Sequence, residues 1–207
     1  LLFCNAGILG APAGLTVDGY EIHFGVNHLG HALLIKRLLP LLLKTADLYG
    51  DVRVITNSSD GCRFHASQGI VFKDLRTTQE NLTYMGMLGG WLRYFQSKLA
   101  NIIYNVELAQ RYPQITFVAI HPGIVDTEPT SKWIKSTALM RQLMAGGELK
   151  TPAEGAWNQL WAATARGVRS GEYYEPVGIV GKRTKISQDK KLSAELWNWT
   201  EVQVKDW

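Results

Sequence analysis

VRVITNSS, residues 52–59, places four β-branched side chains within five residues and then ends on two serine hydroxyls. Val, Ile and Thr are stiff at χ1 and fit a pleated surface, and the run is too short for an ordinary helix. VRVITNS (52–58) therefore reads as a strand buried on both faces. Three other runs share this character: LLFCN (1–5), ITFVAI (115–120) and GEYYEPVG (171–178). Each is separated from the next by a stretch with helical spacing. Such alternation, with continuously apolar strands, predicts an α/β fold with a parallel sheet covered on both faces.

The helices have readable ends. A loop with Gly7, Gly10, Pro12 and Gly14 leads to YEIHFGVNHLGHALLIKRLLPLLLK (20–44), which Thr16 or Asp18 would cap and Pro40 would kink or divide. A second helix at 91–111 is closed by Pro113. Thr151-Pro152 opens a third, as a cap followed by proline in the first turn. Residues 189–207 form a final amphipathic helix with Leu192, Leu196 and Trp199 on one side. Trp157 and Trp161, four apart, read as core.

At 207 residues with 46% hydrophobic and 19% charged, the chain has the composition of one globular domain spanning 1–207. The net charge of +4 is mild. Its basic run, Lys182, Arg183, Lys185, Lys190 and Lys191, lacks a groove-reading or stacking motif and reads as solvated surface, not as a nucleic-acid patch. Two cysteines, Cys4 and Cys62, have neither metal-ligand spacing nor the density of a secreted scaffold. HALLIKRLLPLLLK (31–44) is too short and too charged to span a bilayer. With no secretory signal visible, the expected location is cytoplasmic. None of His23, His28, His31, His65 and His121 has a metal-like partner set, and no metal is expected.

In parallel sheets, ligands sit beyond the carboxyl ends of the strands. There the chain puts Asn5-Ala6-Gly7, Ser58-Ser59 and Pro122-Gly123. RYFQSKLAN (93–101) adds Tyr94 and Lys98, stacked one turn apart on a helix. A phenol with a pKa near ~10 is a poor base at neutral pH, and a neighbouring ammonium favours its ionised form. Alone, the pair also suits a snorkelling surface lysine beside a tyrosine. Ser59, just past a buried strand, can hydrogen-bond a substrate oxygen or satisfy loop backbone. Asn27, a poor helix former in mid-helix, can hold a water or mark a kink.

As a set these residues resemble those of the short-chain dehydrogenase/reductase family. CNAG (4–7), NHLGH (27–31), NSS (57–59), YFQSK (94–98) and HPGIVDT (121–127) occur in the family's order along nearly the whole chain. DGYEIHFGVNHLGHALL and YFQSKLANIIY are especially similar to the branch with retinol dehydrogenases and WW-domain oxidoreductases. The resemblance implies that Tyr94 is the general acid/base and that Lys98 lowers its pKa and binds the nicotinamide ribose. It further implies that Ser59 orients the substrate oxygen and Asn27 anchors a relay water. Asn5, Ala6, Gly7, Pro122, Gly123, Val125 and Thr127 would border the cofactor, NADP by family habit with NAD also open. The substrate would be a small ketone, aldehyde or alcohol, and family habit leaves room for a homo-oligomer.

The family's TGxxxGxG phosphate turn is absent from these residues. The expected fold is therefore a Rossmann-like doubly wound sheet lacking its N-terminal part, with about four strands and flanking helices. LLFCN would then be an exposed edge, and these residues alone would bind dinucleotide poorly. A non-catalytic family member is the competing reading. Residues 60–93 and 128–150 are the expected substrate-covering segments.

Overall fold

The run that begins at Val52 forms β2 (Arg53–Asn57), and ITFVAI forms β3 (Thr116–Ile120) beside it in parallel register, Val54 opposite Phe117 and Ile55 opposite Val118. The structure, a computed structural model, describes residues 1–82, 89–127 and 149–207. On the other side of β2 lies β1 (Leu2–Cys4), also parallel; beyond β3 come β4 (Tyr173–Glu175), parallel, and β5 (Ile179–Val180), antiparallel to β4. The sheet order is β1-β2-β3-β4-β5. The expected four strands are thus joined by a fifth. GEYYEPVG is strand only over its first half, because Gly178, with φ +71°, lies in the turn that sends the chain back as β5.

Period-two alternation explains why both faces are dry. Val54, Phe117, Ala119 and Tyr173 enter one core, with side chains from α2 (Gly30–Tyr49), α3 (Gly89–Arg111) and α5 (Lys190–Gln203). Ile55, Val118, Ile120 and Tyr174 enter the other, against Ala162 and Ala163 of α4 (Pro152–Thr164). Phe117 is fully buried, a burial worth roughly 2–3 kcal/mol. At the other end of the sheet β1 is an edge, with Leu1 and Phe3 exposed.

Three helical expectations change. Residues 20–44 begin as a short α1 (Ile22–Phe24), pass through a π-helical turn at Gly25–Leu29 and continue as α2. Neither Thr16 nor Asp18 caps this entry: the Glu21 carboxylate accepts from Phe24 N at 2.7 Å. Pro40 lies inside α2 without dividing it, and the helix runs on to Tyr49. Trp161 packs on Tyr174 as expected of core, at 4.8 Å between ring centroids, but Trp157 is 51% exposed. The buried stripe of α4 runs through Gly155, Asn158 and Ala162, which leaves position 157 on the far side.

Other ends match. Thr151 and Glu154 form a reciprocal capping box at α4, with Pro152 in its first turn. Leu192 and Leu196 of α5 are buried, and Trp199 packs against the same core, edge-on to Tyr20 and Phe24. Among the described residues, no helix is long and apolar enough to cross a membrane.

Candidate active site

Beyond the carboxyl end of β2 the chain makes a tight turn at Asp60–Arg63, capped by Ser59, whose hydroxyl accepts from Gly61 N at 3.1 Å. Gly61 has to lack a side chain: a Cβ there would come 2.1 Å from Phe95 of α3. This close approach lays the Ser59 turn against α3, close enough for its hydroxyl to act downward on the Tyr94 phenol. One turn further along, the Lys98 ammonium stands 5.6 Å from the Tyr94 ring centroid. Its Nζ donates to Asn57 O at 3.0 Å, and Ser58 Oγ donates to Lys98 O at 2.7 Å. β2 and α3 are thereby fastened at the serines that end the strand.

Asn27 enters from the π-helical turn and is fully buried. Its Oδ1 accepts from Ile8 N at 2.8 Å, and its Nδ2 donates to Ile8 O and to Ser97 Oγ, each at 3.0 Å. Both hydrogens of the side-chain amide are thereby engaged. Gly7 lies flush against this corner. A Cβ at Gly7 would be 3.0 Å from Asn27 Oδ1 and 3.5 Å from Lys98 Nζ. Tyr94, Lys98, Ser59 and Asn27 are therefore brought together, with Gly7 exposed over Asn27 and Lys98.

The remaining expected positions surround this centre less closely. Asn5 and Ala6 are exposed beside Gly7, and Asn5 Oδ1 accepts from Asn57 Nδ2 and from Gln159 Nε2. Pro122 and Gly123 follow β3 after His121. Gly123 has φ +89°, and Lys150 lies over it. Val125 bridges to Lys150 and packs on Gly155 of α4, while Thr127 is exposed at the end of the described segment. His121 is held as loop structure, its O accepting from Asn158 Nδ2 at 2.8 Å. Of the expected covering segments, 83–88 and 128–148 lie outside the described residues.

The electrostatics differ from the expectation at one point. Burial pushes the Tyr94 phenol up to about 12, with the Ser59 hydroxyl acting downward. Burial lowers Lys98 to about 8. Burial is the largest influence on the phenol, and the Lys98 ammonium is engaged by Asn57 O. As placed, the phenol keeps its proton at neutral pH.

Sequence reasoning missed Asn57. Its carbonyl gathers Lys98 and Asn101 Nδ2 at 3.1 Å, and its side chain reaches Asn5. Its place one residue before Ser58-Ser59 was the signal for it.

A short-chain dehydrogenase/reductase of Aspergillus calidoustus is 32% identical over 217 residues, covering 97% of this chain and 67% of that protein. The chain belongs to the short-chain dehydrogenase/reductase family. Human retinol dehydrogenase 14, a further relative, is 34% identical over 99% of this chain and 58% of its own length. This family member thus spans about two thirds or less of the curated relatives it matches. Among solved structures, NADPH-bound carbonyl reductase from chicken fatty liver superposes with a TM-score of 0.57 at 25% identity, over 88% of this chain and 65% of that one. A Brucella melitensis short-chain dehydrogenase/reductase of glucose/ribitol dehydrogenase type shares the fold, with a TM-score of 0.60 at 21% identity over 88% of this chain and 65% of that one. No family model matches the chain.

Proposed function

We propose that this chain carries the catalytic residues of a nicotinamide-dependent oxidoreductase that interconverts a small ketone or aldehyde and its alcohol. The observation that carries this reading is the convergence of Ser59, Tyr94 and Lys98 beyond the carboxyl end of β2, with the Lys98 ammonium 5.6 Å from the Tyr94 ring centroid. A carbonyl oxygen seated between the two hydroxyls receives a hydrogen bond from each. Tyr94, protonated as placed, delivers its proton to that oxygen during reduction. Ser59 holds the oxygen in line. The reverse reaction takes a proton from the alcohol and requires the phenolate, hence more positive charge near the ring than Lys98 supplies in its present position.

The residues fit a dinucleotide's ribose. The open corner above Gly7 is one that a Cβ would fill, and Lys98 spends one of its three donors on Asn57 O, leaving two for ribose hydroxyls. Asn5, Ala6 and Gly7 would line one side of that group, and Pro122, Gly123, Val125 and Thr127 the other. When bound, the nicotinamide supplies hydride or, oxidised, a cationic ring. NADP is the favoured form, with NAD open, by likeness to the NADPH-bound carbonyl reductase. Trp91, Phe95 and Phe64 continue the aromatic surface from Tyr94, with neighbouring ring centroids 5.8–6.2 Å apart, which favours an apolar substituent on the substrate.

The test is a panel of ketones, aldehydes and alcohols with NADPH and NADH, using the complete protein that contains this chain. Substrate-dependent loss or gain of reduced-nicotinamide absorbance supports the reading. Stoichiometric dinucleotide binding without turnover of any panel member contradicts it.

A further inference from the structure

Three ionisable side chains are buried beside Tyr94 without belonging to the group that meets substrate. Glu21 and His23 are fully buried, and Arg93, the residue before Tyr94, is 5% exposed. Glu21 Oε1 accepts from His23 Nδ1 at 2.9 Å, and Arg93 Nε stands 3.5 Å from the same oxygen, an ion pair more than a tight hydrogen bond. The other carboxylate oxygen caps α1. His23 Nε2 accepts from Ala11 N at 3.2 Å. An accepting Nε2 needs its lone pair, so the ring proton sits on Nδ1 and points at Glu21. The His23 ring meets Tyr94 edge-on, with centroids 6.4 Å apart and planes at 75°.

A buried ion pair of this kind contributes little to stability compared with apolar packing of equal volume, and its best-attested use is to fix geometry. The parts fixed here are the ones the reaction needs in register. Through the cap, Glu21 holds the start of the helix that carries Asn27. Through His23 it holds Ala11, in the loop that begins at Asn5-Ala6-Gly7. Through Arg93 it holds α3 at the step before Tyr94. Arg93 also donates to Gln79 O at 3.3 Å, and Gln79, with φ +48°, is gripped by Gln96 Nε2 at 3.0 Å. Glu21 N donates to Leu75 O at 2.9 Å, so the 71–79 segment is tied to the same point.

We infer that Glu21 is a positioning residue, acting through His23 and Arg93 to set Tyr94 against Asn27 and the Asn5–Gly7 loop. The inference rests on the proposed function. Glu21→Gln keeps an oxygen for the α1 cap but presents an amide where His23 Nδ1–H and Arg93 need an acceptor. The expected result in the complete protein is a fall in kcat of about 10²-fold, as for a displacement near 1 Å, with carbonyl-substrate KM within about threefold. Glu21→Asp, which retains the charge and the cap, recovers part of that loss.

Tyr94→Phe is measured alongside. If Tyr94→Phe turns over normally, the function and this inference fall together. If Tyr94→Phe is dead while folded Glu21→Gln keeps kcat within threefold, the inference alone falls. Nitrogen-15 NMR of His23 in the unaltered protein gives a check that depends on no variant's folding. A protonated Nδ1 and bare Nε2 support the arrangement, and the opposite tautomer overturns it.

Discussion

Lys98→Met asks whether the ammonium is held in place at the expense of the fold. Burial lowers Lys98 from its ordinary 10.5 to about 8. At about 1.4 kcal/mol per pH unit, the charged form costs the folded state roughly 3 kcal/mol at pH 7. Methionine fills a similar volume without the charge. The lost hydrogen bond to Asn57 O offsets about 1 kcal/mol, and that carbonyl keeps Asn101 as a donor. The variant should therefore be more stable than the parent by about 2 kcal/mol at pH 7. The sign with pH follows from proton counts. Between pH 8 and 10.5 the unfolded lysine holds a proton that the folded one has lost, so parent stability gains as pH rises through that window. The variant lacks this gain, and its advantage should shrink by about 1 kcal/mol from pH 7 to pH 9. Comparing the two proteins cancels the contributions of other groups. Urea unfolding at both pH values, followed by tryptophan fluorescence, reads the difference. A destabilised variant, or an advantage that does not change with pH, would refute the reasoning.

Gly7→Ala puts a methyl 3.0 Å from Asn27 Oδ1 and should cost on the order of 1 kcal/mol in urea unfolding, with the Ile8 amide exchanging faster as Asn27 is displaced. Gly61→Ala drives a Cβ into the Phe95 ring; thermal melts should show a loss of about 1–3 kcal/mol, and kcat should fall because the Ser59 turn moves with it. Thr151→Ala removes one half of the α4 capping box and should cost about 1 kcal/mol, read as faster amide exchange at Glu154.

Strands were legible where the side chains alone decide the conformation. β2 and β3 announced themselves because β-branched residues buried on both faces have few alternatives, and the Thr151-Pro152 entry to α4 is a local signal complete within four residues. What failed depended on partners distant in sequence. The start of α1 was assigned to Thr16 or Asp18 because both are good caps, but Glu21 already belonged to a buried cluster with His23 and Arg93, the latter 72 positions away. Trp157 looked like core by its spacing from Trp161, and only the direction of the α4 stripe shows otherwise. β5 is two residues with no pattern of its own, formed by pairing with β4. At the site, the family resemblance brought four side chains into view, and the fold gathers them in one place. It could not show that burial would outweigh the ammonium at Tyr94, since desolvation depends on what packs around the ring.

The account depends most on a proton leaving the Tyr94 oxygen, and Tyr94→Phe removes that oxygen alone. The measurement is kcat in the complete protein beside the dissociation constant for the reduced dinucleotide. The predicted result is a kcat lower by about 10²–10⁴-fold with dinucleotide affinity within threefold of the parent. Unchanged kcat in a folded Tyr94→Phe protein would contradict it.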